Sequence, residues 1–199
     1  MSEASPTRAV VLELKEEQKA MHEGYVFLDE KCLLLAGEIL RELARYAELD
    51  RALLGAHQAA LLALQAAVAR HGLDDLQVYP AQDQASASLT LASRSIMGVR
   101  LQDAAWHHAD IAPPPSVAPS PEAEACRRAF LVLIAAAAGL AAVSGNLERL
   151  SFEYRRSVRR ARALQDVLLP ELDHDVRELE TRLEELEQED AIWMRHGRS

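Results

Sequence analysis

Residues 147–190 read LERLSFEYRRSVRRARALQDVLLPELDHDVRELETRLEELEQED. Apolar side chains recur in this segment at steps of three and four residues, and Arg, Glu and Asp flank them. Such heptad-like spacing is typical of a helix that packs against another helix along its whole length. The apolar stripe consists of Leu147, Leu150, Tyr154, Val158, Ala161, Leu164, Leu168, Leu172, Val176, Leu179, Leu183 and Leu186.

The first third of the chain supplies a second helix of similar length. Ser5-Pro6 is a helix-start signal, Gly72 is a helix-end signal, and Ser120-Pro121 repeats the start signal. A helix of about 70 residues is about 100 Å long, so each helix needs the other as a partner. The sequence therefore predicts a long antiparallel two-helix coiled coil. The seam of the first helix consists of Leu14, Met21, Leu28 and Leu35, with the companion row Tyr25, Cys32, Ile39, Tyr46 and Leu53.

The middle of the chain has a different pattern. Residues 86–91 alternate polar and apolar side chains, and residues 96–101 resume after Ser93-Arg94-Ser95, which predicts a small β-hairpin turning at that tripeptide. A Pro-rich connector follows at residues 111–119. The fold class is mainly α, with an N-terminal helix at 6–71, a hairpin-containing, partly irregular middle segment at 72–120, and a C-terminal helix at 121–197.

Composition excludes several classes of function. The net charge of −9 argues against general binding to nucleic acid or anionic lipid. The apolar run from Ala129 to Val143 is shorter than the roughly 20 residues of a membrane span, so we expect a buried helix segment and no direct membrane insertion. Phosphate-loop and nucleophile-elbow motifs are missing from the sequence, which favours a protein that is not an enzyme and needs no cofactor.

Two further patterns have a plain interpretation and a more specific one. Trp106-His107-His108 with Asp110 suggests a metal site, although adjacent His residues are more often ordinary polar surface. Cys32 and Cys126 lie in predicted helices without metal-binding spacing, so we expect free, buried thiols rather than a disulfide or a metal site.

Local motifs along the whole chain are similar to those of one family, the D subunits of V-type (vacuolar and archaeal-type) rotary ATPases and ATP synthases. Residues 5–8 (SPTR) resemble the start of that family, and residues 95–100 (SIMGVR) resemble its Asn-Ile-Met-Ser-Val-Lys type strand. Residues 159–170 (RRARALQDVLLP) resemble its Arg-Arg-Val-Asn-Ala-Leu-Glu-x-x-x-Ile-Pro motif, and residues 183–190 (LEELEQED) resemble its acidic end. Residues 27–32 (FLDEKC) are less basic than the corresponding Leu-Lys-x-Lys-Arg type stretch of family members.

The resemblance implies a central rotor shaft that transmits torque during ATP synthesis or ATP-driven ion transport, including hydrogen ion transport, and that has no catalytic residues of its own. The implied partners are the F subunit of the central stalk, the catalytic A and B subunits, and a funnel-shaped subunit on the membrane ring. The implied location is the cytoplasmic face of the membrane, as a peripheral part of the complex. A free-standing coiled-coil adaptor that tethers two partners is the alternative.

The candidate interface residues form three groups, and one further residue is a candidate helix bend. The hairpin contributes Ile96, Met97 and Val99, and the acidic tip contributes Glu184, Glu185 and Glu187. Pro170 lacks a backbone donor and is the candidate helix bend. The basic band contacts another subunit or, in the plainer interpretation, pairs with acids on the first helix such as Asp50 or Glu48, and nucleic acid is the least favoured partner. The band consists of Arg155, Arg156, Arg159, Arg160 and Arg162.

Overall fold

The structure is a computed structural model of the chain, and it describes residues 7–77, 79, 87–108, 116 and 119–196. Helix α1 spans Arg8–Gln77, and strands β1 and β2 span Ala87–Ile96 and Val99–His108. Helix α2 spans Pro121–Ala163, a π-helical segment spans Leu164–Leu168, and helix α3 spans Leu169–His196. The predicted start at Ser5-Pro6 and most of the Pro-rich connector lie outside the described residues.

The fold class predicted from the sequence is confirmed: two long helical stretches with a small antiparallel hairpin between them. The chain divides into two compact units. The terminal unit contains the described residues of Met1–Leu34 and Tyr154–Ser199, and the hairpin unit contains those of Leu35–Glu153.

The terminal unit is an antiparallel helix pair. Arg8 forms an ion pair with Glu187 at 2.7 Å, and Lys15 forms one with Glu180 at 2.5 Å. A residue further along α1 thus meets a residue earlier in α3, which is the sense of pairing that the two amphipathic stripes predict. In the hairpin unit the same antiparallel sense appears where the His71 imidazole and the Ser120 hydroxyl lie 2.6 Å apart.

Helix α1 keeps a regular heptad spacing through both units. From Val11 to Ala67, buried or half-buried residues alternate at steps of three and four. Near its end the helix is interrupted at Gly72, whose φ of 76° is open to glycine without the steric penalty of a Cβ. The seam positions are Val11, Leu14, Gln18, Met21, Tyr25, Leu28, Cys32, Leu35, Ile39, Glu42, Tyr46, Leu49, Leu53, Ala56, Ala60, Ala63 and Ala67.

The second helical stretch departs from the predicted stripe at two positions. Leu168 and Leu186 were expected in the seam, but they are 41% and 44% exposed. At the first of these sites Leu169 is half-buried instead, directly after the π-helical segment. Further along, Leu186 is exposed although the adjacent Glu187 pairs with Arg8 of α1.

The predicted turn of the hairpin is wrong by several residues. Ser93-Arg94-Ser95 lies inside β1, and the turn is Met97-Gly98, with Ile96 paired to Val99. Both turn residues have positive φ, 48° and 82°, which is the geometry of the two-residue type I′ turn that suits the twist of paired strands. Gly98, at the second turn position, is a turn signal in the sequence. Methionine rarely adopts positive φ, so Met97 at the first turn position did not indicate a turn there.

The predicted burial of the Ala-rich run from Ala129 to Val143 is also wrong. Val143 is buried, whereas the other residues of the run are half-buried or exposed, including Val132 at 60%. One side packs on α1, where a Cβ added at Gly139 would lie 3.8 Å from the Leu49 side chain. Because a two-helix pair covers only one face of each helix, the opposite face of the run stays open.

Candidate functional site

A polar network joins the hairpin to the helices of the hairpin unit: the buried side chains of Glu38, Glu42 and Asn146 meet the partly exposed Arg94 side chain and the Gln102 backbone. We call it the hairpin clamp. It consists of Glu38, Glu42, Arg94, Gln102 and Asn146. Glu38 and Glu42 lie one helical turn apart on α1 and are each only 2% exposed. The Arg94 guanidinium from β1 reaches Glu38 at 2.6 Å and Glu42 at 2.8 Å. A single guanidinium thus bridges both carboxylates.

The clamp carboxylates each have a second cation nearby. Arg41 pairs with Glu38, and Arg45 lies 3.6 Å from Glu42 while its main pairing, at 2.5 Å, is with Asp103 of β2. Two buried carboxylates this close are unfavourable without neighbouring cations, and this set of guanidinium groups supplies the opposite charge. The hydrogen bond to Glu38, together with the neighbouring carboxylates, raises the pKa of Arg94 above its usual value, although burial opposes the shift.

Asn146 of α2 holds the outer edge of β2. Its Oδ1 accepts from the Gln102 backbone N–H at 2.8 Å, and its Nδ2 donates to the Gln102 carbonyl at 2.9 Å. The side-chain amide therefore replaces the backbone of a third strand. The second Nδ2 hydrogen bond goes to Glu42 at 3.3 Å, and Arg149 donates to Oδ1 at 2.7 Å. With 1% exposure, the Asn146 amide satisfies its hydrogen-bonding capacity inside the protein.

Sequence reasoning missed the clamp, although one signal was present. Glu42 lies on the same seven-residue row as Leu35 and Leu49, so an acid interrupts the apolar seam at that point. A polar residue at a seam position commonly specifies register or a particular partner. Glu38 and Asn146 were not singled out from the sequence, although Asn146 lies between the buried Val143 and Leu150 of α2.

The predicted hairpin residues have different environments. Val99 is 7% exposed and belongs to the core, Ile96 is half-buried, and Met97 is 37% exposed at the turn. Beside the turn lies a cleft of about 510 Å³. Phe152, 65% exposed, supplies an apolar wall of this cleft. The remaining lining residues are Gly98, Val99, Arg100, Glu148, Arg149 and Glu153.

The predicted basic band lies on α2 in the terminal unit. Arg155, Arg159, Arg160 and Arg162 are exposed, and within the described residues none of these four forms an ion pair. Arg156 is exposed as well but interacts with another group. The band therefore presents several uncompensated guanidinium groups on a short length of helix.

The predicted acidic tip lies on α3. Glu184 and Glu185 are exposed, and the Glu187 Oε1 accepts two hydrogen bonds from the Arg8 guanidinium, from Nη2 at 2.7 Å and from Nε at 2.9 Å. On the same helix Glu178 pairs with Arg182, one turn further on, at 2.5 Å, and Asp173 accepts a hydrogen bond from Gln18 of α1. Beyond the acids, α3 ends with exposed apolar side chains: Ile192, Trp193 and Met194.

The two cysteines and the histidine motif are separate from the clamp. Cys32 and Cys126 are free and buried, as the sequence predicts, and burial raises the pKa of both thiols. The Trp106 and His108 rings have centroids 5.5 Å apart, and Asp110 lies outside the described residues. Among the residues that the structure describes, no three His, Cys, Asp or Glu side chains are grouped as metal ligands would be.

Comparison with known proteins places the chain in one family. The sequence profile of the ATP synthase D subunits matches residues 10–196. The chain belongs to this family of ATP synthase D subunits. It is 24% identical to the V-type ATP synthase D subunit of Thermotoga neapolitana over 191 residues, which cover 94% of this chain and 93% of that protein. It is 26% identical to the A-type ATP synthase D subunit of Pyrococcus furiosus, with 92% and 88% covered.

Membership in the D-subunit family makes the chain a component of an ATP synthase, which works together with other subunits. The apolar surface of this family member fits a component of a complex. Each helical stretch contains a segment that is long and apolar enough for a membrane span by length and composition alone. Only 11% of each segment is buried within the chain.

Proposed function

We propose that this D-subunit chain is the central rotor shaft of a V-type ATP synthase or ATPase and transmits torque between the catalytic hexamer and the ion-translocating membrane ring. The family match over residues 10–196 carries the proposal. The relatives from Thermotoga and Pyrococcus, each named as the D subunit of an ATP synthase, match along nearly their full length. A chain that matches end to end is expected to fill the same place in its complex.

The physical requirements of a shaft support this proposal. A shaft must resist relative sliding of its helices, and the unbroken seam of α1 from Val11 to Ala67 provides interlocking along that helix. It must also bind other subunits at defined places. The exposed basic band, the acidic tip and the clamped hairpin are three chemically distinct surfaces that suit such contacts.

We assign the partners by this division of surfaces. The tip with Glu184, Glu185 and Glu187 contacts the catalytic A and B subunits, and the hairpin with Ile96, Met97 and Val99 lies toward the membrane ring and its funnel-shaped subunit. The basic band contacts an acidic surface, for which the F subunit of the stalk is the candidate. Chemistry on ATP belongs to the hexamer, so the chain itself is non-catalytic, and the complex places it on the cytoplasmic face of the membrane.

Co-expression with the F, A and B subunits encoded in the same genome tests the proposal. We expect a one-to-one complex with F that also inserts into the catalytic hexamer, detected by size exclusion with mass determination. A homodimer of this chain that binds none of these subunits would favour the coiled-coil adaptor instead. Replacing Arg155, Arg159 and Arg160 with Glu is the matched test of the basic band: we expect loss of one intersubunit contact without loss of helix content.

A further inference from the structure

The helical stretch that begins at α2 contains one residue more than its seam requires. Before the π-helical segment, seam residues recur at intervals of seven, and after it they do so again. Leu164 is the last member of the first row and Leu169 is the first member of the second. A heptad has steps of three or four, but here the step is five. The first row is Val143, Leu150, Ser157 and Leu164, and the second is Leu169, Val176 and Leu183.

The π-helical segment absorbs the additional residue. Leu169 donates its backbone N–H to the carbonyl of Leu164, five residues earlier, which is the hydrogen bond of a π turn. Helix α1 has no matching insertion, because its seam runs through the terminal unit at regular steps of three and four. The additional residue is therefore present in only one of the two paired helices, so the helix pair must adjust to it locally.

The sequence offers a second way to accommodate it. If the segment were α-helical throughout, Leu168 would occupy the seam and the stripe would run Leu164, Leu168, Leu172 and Val176. Three consecutive steps of four require local unwinding of the coiled coil, which is how such insertions are absorbed without a π turn. From Leu172 onward both arrangements use the same seam residues, so they differ only in which of two neighbouring leucines is packed.

Local features of the terminal unit bear on the choice between the two arrangements. Pro170 lies in the first turn of α3, where its missing N–H breaks no α-helical bond. In a continuous α-helix its ring would clash with the carbonyl of Asp166, a penalty that corresponds to roughly a 100-fold bias against that arrangement. Gly24 leaves room for the Leu164 side chain, since an added Cβ would already be in contact with it at 4.0 Å.

Space for an exchange of leucines is also present. A cleft of about 500 Å³ lies next to Leu169 in the terminal unit. The preceding residue, Leu168, is 41% exposed and Leu169 is half-buried, so neither side chain is locked in a closed core. The other residues that line the cleft are Gln18, Lys19, His22, Glu23 and Asp173.

We propose that residues 164–170 form a two-state joint. In its ground state the joint has a π turn with Leu169 in the seam, and in its alternative state it is α-helical with Leu168 in the seam. Pro170 sets the ground state. The seam on either side is the same in both states, so the joint can change without separating the helices. In a rotor shaft the joint would deform under load, and this role rests on the proposed function. The two-state behaviour itself does not depend on that function.

Thiol labelling of the full-length chain tests the joint independently of complex assembly. The variants are Leu168→Cys and Leu169→Cys, each with and without Pro170→Ala, and Val167→Cys, 49% exposed at its native valine, serves as the reference. With Pro170 present, we expect the thiol at position 168 to react at least about 10-fold faster than the thiol at 169. With Pro170→Ala, we expect this ratio to fall at least about 10-fold or to invert. An unchanged ratio would overturn the proposal.

Thermal unfolding provides the second measurement, with Leu168→Ala and Leu169→Ala in the same two backgrounds. We expect Leu169→Ala to lower Tm by about 4 °C more than Leu168→Ala when Pro170 is present. The order should reverse in the Pro170→Ala background, because Leu168 then carries the packing. The same order and size of effect in both backgrounds would contradict a second state.

Discussion

The two units of the chain use charge in opposite ways. In the terminal unit the ion pairs lie at the surface: the Arg8 and Glu187 side chains are 78% and 49% exposed. In the hairpin unit Glu38 and Glu42 are buried and depend on Arg94 for compensation. Exposed pairs contribute little to stability, whereas loss of one partner in a buried pair leaves an uncompensated charge. We therefore expect loss of a charged side chain to cost little stability in the part of α1 that belongs to the terminal unit and much more in the part that belongs to the hairpin unit.

The difference between the two units is tested most strongly by removing the guanidinium group of the clamp. We expect Arg94→Met to destabilise the hairpin unit by about 2–4 kcal/mol, because two buried carboxylates lose their shared cation. Denaturant unfolding measures the change, and amide exchange of β1 and β2 locates it. Arg100→Met, on the same hairpin but outside the clamp, is the control and should change stability by less than about 0.5 kcal/mol. Equal effects of the two substitutions would contradict the clamp.

A smaller effect is expected at the edge of β2. Asn146→Ala removes both partners of the Gln102 backbone groups, and we expect a loss of about 1–3 kcal/mol. The Gln102 amide should lose its exchange protection while amides bonded between β1 and β2 keep theirs. Glu148→Ala, an exposed position on the same helix, is the control. Retained protection at Gln102 would show that the Asn146 amide does not hold the strand.

The surface ion pairs of the terminal unit should contribute still less to the free energy of unfolding. We expect Lys15→Ala to change stability by about 0–1 kcal/mol, and high salt should reduce the difference because it screens exposed charges. Paired unfolding curves at low and high salt measure this. A loss as large as that of Arg94→Met would remove the distinction between the two units.

The smallest expected effect concerns the reactivity of the two cysteine thiols. Cys32 reports on the terminal unit and Cys126 on the hairpin unit. Burial raises the pKa of Cys32 and of Cys126, so less thiolate is present at neutral pH and labelling should be slower than for an unfolded thiol. A folded-state pKa above the unfolded value contributes stability below the unfolded pKa, and this contribution is lost as the pH rises through the folded-state pKa. Single-thiol variants labelled across the alkaline range test this, and rates equal to those in denaturant would contradict it.

Sequence patterns predicted the parts of the fold that depend on spacing along one helix. The heptads of α1 and the existence of a hairpin follow from local periodicity. The turn at Met97-Gly98 was missed because methionine is an uncommon residue at positive φ. The seam position of Leu169, in place of Leu168, depends on a π turn that periodicity alone does not reveal.

The candidate sites were harder to predict, for a physical reason. The clamp joins Glu42, Arg94 and Asn146 from three separate elements, and these contacts exist only after those elements pack. By contrast, the basic band and the acidic tip are runs within one helix, so the sequence was sufficient to identify them. Their roles as contacts with other subunits stay predictions.

Rotation of the hairpin in the assembled enzyme tests the central claim most directly. With the catalytic hexamer immobilised, a probe attached through Met97→Cys at the exposed turn would be followed under ATP, since both native thiols are buried. The rotor assignment predicts continuous rotation in one direction that requires ATP. ATP hydrolysis by an assembled complex with a stationary hairpin would contradict it.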